Sequence, residues 1–381
     1  MSEYQYYEFV ALDRRLTAAE MAELRALSTR AEITPTSLTN EYHFGSFKGS
    51  PEKLMEHYFD AHVYVANWGT NCFMLRLPQT VWNKDACVDY FAGDWFDFEE
   101  AGKNIILKWE YNEGEGFEEF EGDQGWMAKL IPIREELERG DYRALYLGWL
   151  MGVSAEELDL DTIEPPVPPN LGTLSMAQRH LIKFLNIDED VVAAAAQASV
   201  NLKAPAASSA SDMARWVRQL PAAQMQHYVL MLLQGNALEA ERELRKQFNL
   251  ANKSGEAVAN EADRRDVATL LALADKMREK RLANEKQAQQ RAAIEAQKKR
   301  NEYLIQVAKD ATDYWDKAQA MANLGNASAY DAATAALKDL WDAHRLQGTE
   351  SQFRQQLRSF REIHSRRRAL MQRLDEQKLG I

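Results

Sequence analysis

Across the first 80 residues the apolar positions alternate, then recur every three or four residues, then alternate again. "YQYYEFVALD" alternates as a half-buried strand. "RRLTAAEMAELRALSTRA" reads as a helix: Thr17 stands three residues before Glu20, the spacing of a capping box, and Met21, Leu24 and Leu27 share one face. "EITPTSLTN" and "YHFGSFKG" read as two strands, with Pro35 making the first an edge strand or a bent one. "SPEKLMEHYFDA" predicts a short helix with Ser50 as N-cap and Pro51 at its first position. "YFDAHVYVANWGTNCFMLRLP" then predicts a hairpin. His62, Tyr64 and Ala66 take one face of its first strand, and Val63 and Val65 take the other. Asn67-Trp68-Gly69-Thr70 is its turn, with Asn and Gly where positive φ is wanted. The order β-α-β-β-α-β is that of a ferredoxin-like, split βαβ unit, here with extra strands.

The tract 79–126 continues with strands and loops. "MAKLIPIREELERGDYRALYLGWLMGV" is helical, interrupted at Pro132 and Gly140. "EPPVPPNLG", 164–172, reads as a Pro-rich linker closing an α+β head at 1–163. Everything after it has helical periodicity. Residues 173–250 form a helical domain that opens with the pair "LSMAQRHLIKFLN" and "DEDVVAAAAQASV". Residues 263–381 read as a long basic arm. A continuous helix over about 264–322 would be roughly 90 Å long at 1.5 Å per residue. It then turns at "LGNASAYD" and returns along a stripe of Phe353, Leu357, Phe360, Ile363, Leu370 and Leu374. The arm is therefore expected to be an antiparallel coiled-coil hairpin.

Charge sharpens this division. The net charge of −12 splits into −18 over residues 1–170 and +6 over 171–381. So acidic a chain is a poor bulk binder of nucleic acid, although its C-terminal part can present a local basic face. Residues 278–300 hold eight Lys or Arg against three acids, and 354–378 hold the same. No apolar run approaches the ~20 residues that cross a bilayer. "MSEYQYYEFV" lacks the basic start and apolar core of a signal peptide. Cys72 and Cys87 are the sole cysteines and form no CxxC, so a reducing cytoplasm is expected.

"YQYYEFVALDRRLTAAEMAELRALSTRAEITPTSLTNEYHFG" with "LMEHYFDAHVYVANWGT" resembles the opening of an uncharacterised bacterial family of hypothetical proteins. The resemblance covers about the first 150 residues. It implies a bacterial source and a defined N-terminal domain, and carries no activity with it.

Candidate chemistry is sparse. His43, His57 and His62 with Glu56, Asp60 and Cys72 fall within thirty residues but have no HExxH, CxxC or EF-hand spacing. There is no GxSxG elbow, and the Gly-rich "EGEGFEEFEGDQG" carries carboxylates where a phosphate cradle needs Lys and free NH groups. The tract 89–123 has twelve acids against Lys103 and Lys108, and only Glu110, beside "IILKW", is framed as a strand-borne site residue. These features predict no cofactor and no resident metal, and lean away from an enzyme. Aromatics interleaved with acids instead suggest a surface for a protein partner, with Trp68, Trp95, Phe98 and Phe117 as contacts. Lys298, Lys299, Arg300, Arg366, Arg367 and Arg368 are candidate contacts to a partner or to nucleic acid. The expected function is a non-enzymatic scaffold or adaptor of a bacterial multi-protein assembly. Two alternatives stand beside it: a nucleic-acid-associated subunit using the basic arm, and a metal-dependent hydrolase seated in the head. Homo-oligomers are compatible with all three.

Overall fold

The computed structural model describes residues 3–79, 82, 84–112, 125–201, 210–235 and 264–379. Between 235 and 264 it describes only positions 240, 241, 243, 244, 247, 248 and 251. The chain divides into two compact units, Met1–Glu279 and Lys280–Ile381.

The first unit is built on an antiparallel sheet of seven strands. These are β1 (Gln5–Val10), β2 (Glu32–Thr34), β3 (Ser37–Tyr42), β4 (Ala61–Ala66), β5 (Thr70–Pro78), β6 (Phe96–Ala101) and β7 (Asn104–Asn112), in the spatial order β2-β3-β1-β4-β5-β7-β6. The sequence predicts a ferredoxin-like core with extra strands; the α+β class holds, and the strands form one continuous seven-stranded sheet rather than a separate ferredoxin-like one. β5 pairs with β4 on one side and with β7 on the other, which carries the sheet on past β4. The second expected strand, "YHFGSFKG", is mostly loop. β2 and β3 both lie within "EITPTSLTNEY", and Pro35-Thr36 is the turn between them. A proline fits there because a turn needs no ladder donor at that position.

Helices α1 (Ala18–Leu27) and α2 (Pro51–His57) join β1 to β2 and β3 to β4. Thr17 and Glu20 form the capping box, and the Ser50 hydroxyl caps α2 by accepting from the Lys53 N–H. Leu24, Leu54, Met55 and Phe59 pack with Phe9, Leu38 and Met74 on one face of the sheet. The other face carries Val63, Phe73, Leu75, Phe96, Leu107 and Trp109. They share one core with α3 (Trp126–Leu130), α4 (Pro132–Glu138), α5 (Arg143–Ser154), α6 (Met176–Phe184) and α7 (Glu189–Ala196). β5 is thus buried on both faces, which explains why "CFMLRL" is nearly all apolar rather than alternating.

Because α6 and α7 belong to the core of the sheet, residues 164–172 do not separate a head from a helical domain. Glu164, Pro165, Pro168 and Leu171 are buried in that stretch, and Glu164 N–H donates to the Arg265 carbonyl at 2.8 Å. Pro-rich chain lies flat against a core as readily as it spans a gap, and its sequence does not distinguish the two. Helices α8 (Ala210–Val217) and α9 (Ala222–Leu233) follow, the second with a small cluster of its own formed by Tyr228, Met231 and Ala240.

Helix α10 runs without a break from Val267 to Lys309. Val267, Leu270 and Ala274 belong to the core of the first unit, and Leu304 and Val307 to that of the second. It ends at Asp310 rather than continuing to 322. The second unit continues with α11 (Ala311–Leu324), α12 (Ala327–Gln347), α13 (Glu350–Ile363) and α14 (Arg368–Glu376). Gly325, at φ +76°, ends α11, and the Asn326 side chain caps α12. Phe353, Leu357, Phe360, Leu370 and Leu374 are buried as the stripe predicts, while Ile363 is exposed. They pack on α11 and α12 in a helical bundle. Residues 278–299 of α10 are exposed at every position, so Leu282 and Ile294 form no coiled-coil seam. Apolar residues this sparse bury too little area to hold a return helix beside them.

Candidate interaction surfaces

The hairpin turn is where the sequence places it. Gly69 takes φ +91° and donates to the Ala66 carbonyl at 3.1 Å. Asn67 does not adopt positive φ. Its side-chain oxygen accepts from the Tyr4 N–H at 3.0 Å, and its own N–H donates to the Tyr4 carbonyl at 3.1 Å, tying the turn to the start of β1. Trp68 is 36% exposed at the tip. The register sets Tyr42, Gln5 and Ala66 side by side, so the loop after β3 leaves the sheet at the same end. That loop carries Phe44, which is 76% exposed and was missed in the sequence because a single Phe beside Gly and Ser gives no periodic signal.

The other aromatic candidates are not free contact groups. Trp95 is half-buried and lies so close to α5 that a Cβ built on Gly152 would be 2.3 Å from its ring. Phe98 is half-buried against Phe91 and Trp82, with ring centroids 4.8 and 5.6 Å away. Asp94, Asp97, Glu99 and Glu100 are the exposed positions of the same stretch. Phe117 lies outside the described residues.

The histidines and acids of the head do not converge. His62 is fully buried and stacks on Phe9 with centroids 3.9 Å apart. Its Nδ1 donates to the Glu8 carbonyl at 2.9 Å, and burial lowers its pKa to about 4. Asp60 accepts from the backbone N–H groups of Leu12 and Asp13 and pairs with Arg76 at 2.7 Å. Glu110 pairs with Lys108. Burial pushes the Cys72 thiol pKa well above its ordinary value, which leaves it inert as a nucleophile. Among the described residues no group of three or more His, Cys, Asp or Glu side chains is placed to hold a metal ion.

The basic candidates separate into committed and free groups. Arg300 bridges Asp339 at 2.8 Å and Asp342 at 2.9 Å, inside the second unit. Arg367 donates to the Ala322 and Asn323 carbonyls and so caps α11. Lys299 pairs with Glu295 one turn away. Lys298, Arg366 and Arg368 are exposed and make no ion pair among the described residues. The two basic segments do not form one patch through these contacts. Arg300 sits by Asp339 while Arg373 sits by Asp331, roughly 12 Å apart along α12 at 1.5 Å per residue.

Two further surfaces were not read from the sequence. An open cleft of about 650 Å³ lies along α11 and α13, lined by Trp315, Gln319, Gln352, Gln355 and Gln356 among others. The outer side of α9 exposes Met225, Val229, Leu230, Leu232 and Leu233. The signal for α9 was present: residues 219–238 contain no Asp, Glu, Lys or Arg.

No family model, curated protein or solved structure matches this chain. Among the described residues no helix is long and apolar enough to cross a membrane.

Proposed function

We propose that this chain is a non-enzymatic scaffold or adaptor subunit of a bacterial, cytoplasmic multi-protein assembly. The observation that supports this reading is the burial pattern of α10. Its two ends belong to different cores, while residues 278–299 between them are exposed on every side. A helix polar all round is characteristic of an element that bridges domains. It is held by local pairs such as Arg281–Glu285 and Lys299–Glu295. In this reading the first unit contacts a partner through Trp68 and the exposed acids, and the second through Arg366, Arg368 and Lys298. We also read β1–β4 with α1 and α2 as a ferredoxin-like unit extended by β5–β7, a reading supported by the strand order β2-β3-β1-β4.

The test is capture of partners by the full chain from extract of its host, with and without nuclease, beside the variants Trp68→Ala and Arg366→Glu/Arg368→Glu. The scaffold reading expects a protein partner that survives nuclease and is lost from at least one variant. Partners that vanish with nuclease, together with retention on DNA that falls steeply with salt, would replace it by nucleic-acid association through the second unit.

A further inference from the structure

We propose that the cleft between α11 and α13 binds a neutral saccharide, with one face of a sugar ring laid on Trp315 and its hydroxyls held by Gln319, Gln352, Gln356 and Asp316.

The cleft, of about 650 Å³, has the size of a small-ligand site. Trp315 is half-buried in it, and its ring is held by Phe353 and Phe360 at centroid distances of 5.5 and 6.2 Å. Its Nε1 is buried, so the part of the indole left open is ring carbon. From α13 come Gln352, Gln355, Gln356 and Ser359, all exposed, whose side chains make no hydrogen bond among the described residues. Gln319 is oriented from behind. Its Nε2 donates to Nε2 of the buried His364 at 2.7 Å, which fixes the amide before a ligand arrives and leaves its carbonyl oxygen open.

The charge of this set selects the ligand. Among the described residues the lining has no Lys or Arg, and its one charged group is Asp316. A phosphate, a sulfate or a nucleic acid finds no cation there and one carboxylate to repel it. The basic side chains of α13 lie on its other flank: Arg354 sits over the Trp341 ring at 5.8 Å, and Arg361 pairs with Asp375. Gln352, Gln356, Ser359 and Ile363 follow the i, i+4, i+7, i+11 spacing of a single uncharged face.

A protein partner meets an apolar centre at its docking surface. Here Phe360 is buried, and Trp315 and Ile363 are the large apolar groups that remain open among the described lining residues. A sugar fits this mixture. The C–H groups on one side of a pyranose make an apolar face that covers ring carbon. Its hydroxyls both donate and accept, as the planar glutamine amides do, and they donate to the Asp316 carboxylate, which accepts only.

The test is isothermal titration calorimetry of the full chain against maltohexaose, cellohexaose, chitohexaose, xylohexaose and mannohexaose, with a heparin hexasaccharide as the anionic comparator. At least one neutral oligosaccharide is expected to bind, with an affinity that does not change with salt, and the anionic one is expected not to bind. Gln352→Ala/Gln356→Ala alters two exposed side chains and leaves the fold in place. It is expected to weaken binding by at least about tenfold. Trp315→Phe, which keeps a ring, is expected to lose less than Trp315→Ala, with circular dichroism confirming that both are folded. Absence of binding by every neutral oligosaccharide at millimolar concentration overturns the proposal. So does preference for the heparin fragment, or binding indifferent to the Gln and Trp substitutions. If no saccharide binds and a peptide array captures the chain through Gln352 and Gln356, the cleft is a peptide site instead.

Discussion

Arg265 grips Glu164 from two sides: its Nε and Nη2 each donate to a carboxylate oxygen at 2.7 Å. Glu164 is buried and also accepts from the Tyr146 hydroxyl, whose pKa burial and that carboxylate together push well above the ordinary tyrosine value. Arg265 further donates to the Ala194 carbonyl at 3.1 Å, near the C-terminal end of α7. Three stretches distant in sequence are thereby fastened to the residues that open α10. Removing one partner of a buried pair leaves an uncompensated charge, at a cost of about 3–5 kcal/mol. Arg265→Ala is expected to cost that much, and Glu164→Ala/Arg265→Met much less. Amide hydrogen exchange over 267–277 checks both, because those amides report the anchored end of the helix.

His62 makes the first unit sensitive to acid. Its folded pKa of about 4 lies below the ordinary value of 6.5, so the unfolded chain takes up the proton first. The stability it supports is complete above about pH 6.5 and falls as pH drops toward 4, by about 3 kcal/mol in all. His62→Gln keeps a donor for the Glu8 carbonyl and removes the titration. The protection factors of the β1 and β4 amides, which are exchange rates corrected for the intrinsic pH dependence, are expected to fall from pH 7 to pH 5 in the native chain and to stay level in the variant.

Gly148 and Gly152 let α5 approach the sheet. A Cβ built on Gly148 would lie 2.6 Å from the Phe96 ring and 2.7 Å from Trp109 Nε1, and both rings are fully buried. Gly148→Ala gains helix propensity but overpacks this contact, with a net loss of about 1–3 kcal/mol. Chemical unfolding followed by tryptophan fluorescence measures it, and an unchanged or raised midpoint would show that the rings can give way.

The basic residues of the second unit fall into two classes with opposite readouts. Arg300→Glu sets a third acid beside Asp339 and Asp342 and is expected to lower the melting temperature of the chain. Arg366→Glu and Arg368→Glu touch exposed groups and are expected to shift stability by no more than about 0.5 kcal/mol. Any loss of partner binding in the second pair then reports contact rather than unfolding. Differential scanning calorimetry separates the two classes.

Elements whose signal is local were readable from the sequence. Thr17 with Glu20, Ser50 before Pro51, Gly69 in the hairpin and Gly325 after α11 each sit where their spacing places them. These features act over a few residues of backbone, so adjacent side chains suffice to specify them. The stripe from Phe353 to Leu374 was readable for the same reason, because a helical face is a statement about neighbours three and four apart.

What decided the rest was contact between distant segments. "EPPVPPNLG" has the composition of a linker, and it becomes part of a core because Leu171 and α6 pack on the sheet. Trp95 and Phe98 have the composition of a sticky surface, and Gly152, Phe91 and Trp82 partly cover them. Arg300 and Lys298 are equivalent as sequence, and only the fold brings Asp339 and Asp342 to the first of them. The sequence by itself determined the caps and turns that bound α1, α2, the β4–β5 hairpin and α11, and how charge is shared along the chain, since both follow from short-range sterics and from composition. The tertiary structure decided which apolar faces find a cover and which charges find a partner. Burial depends on what the rest of the chain places within a few ångströms, and no local pattern carries that information.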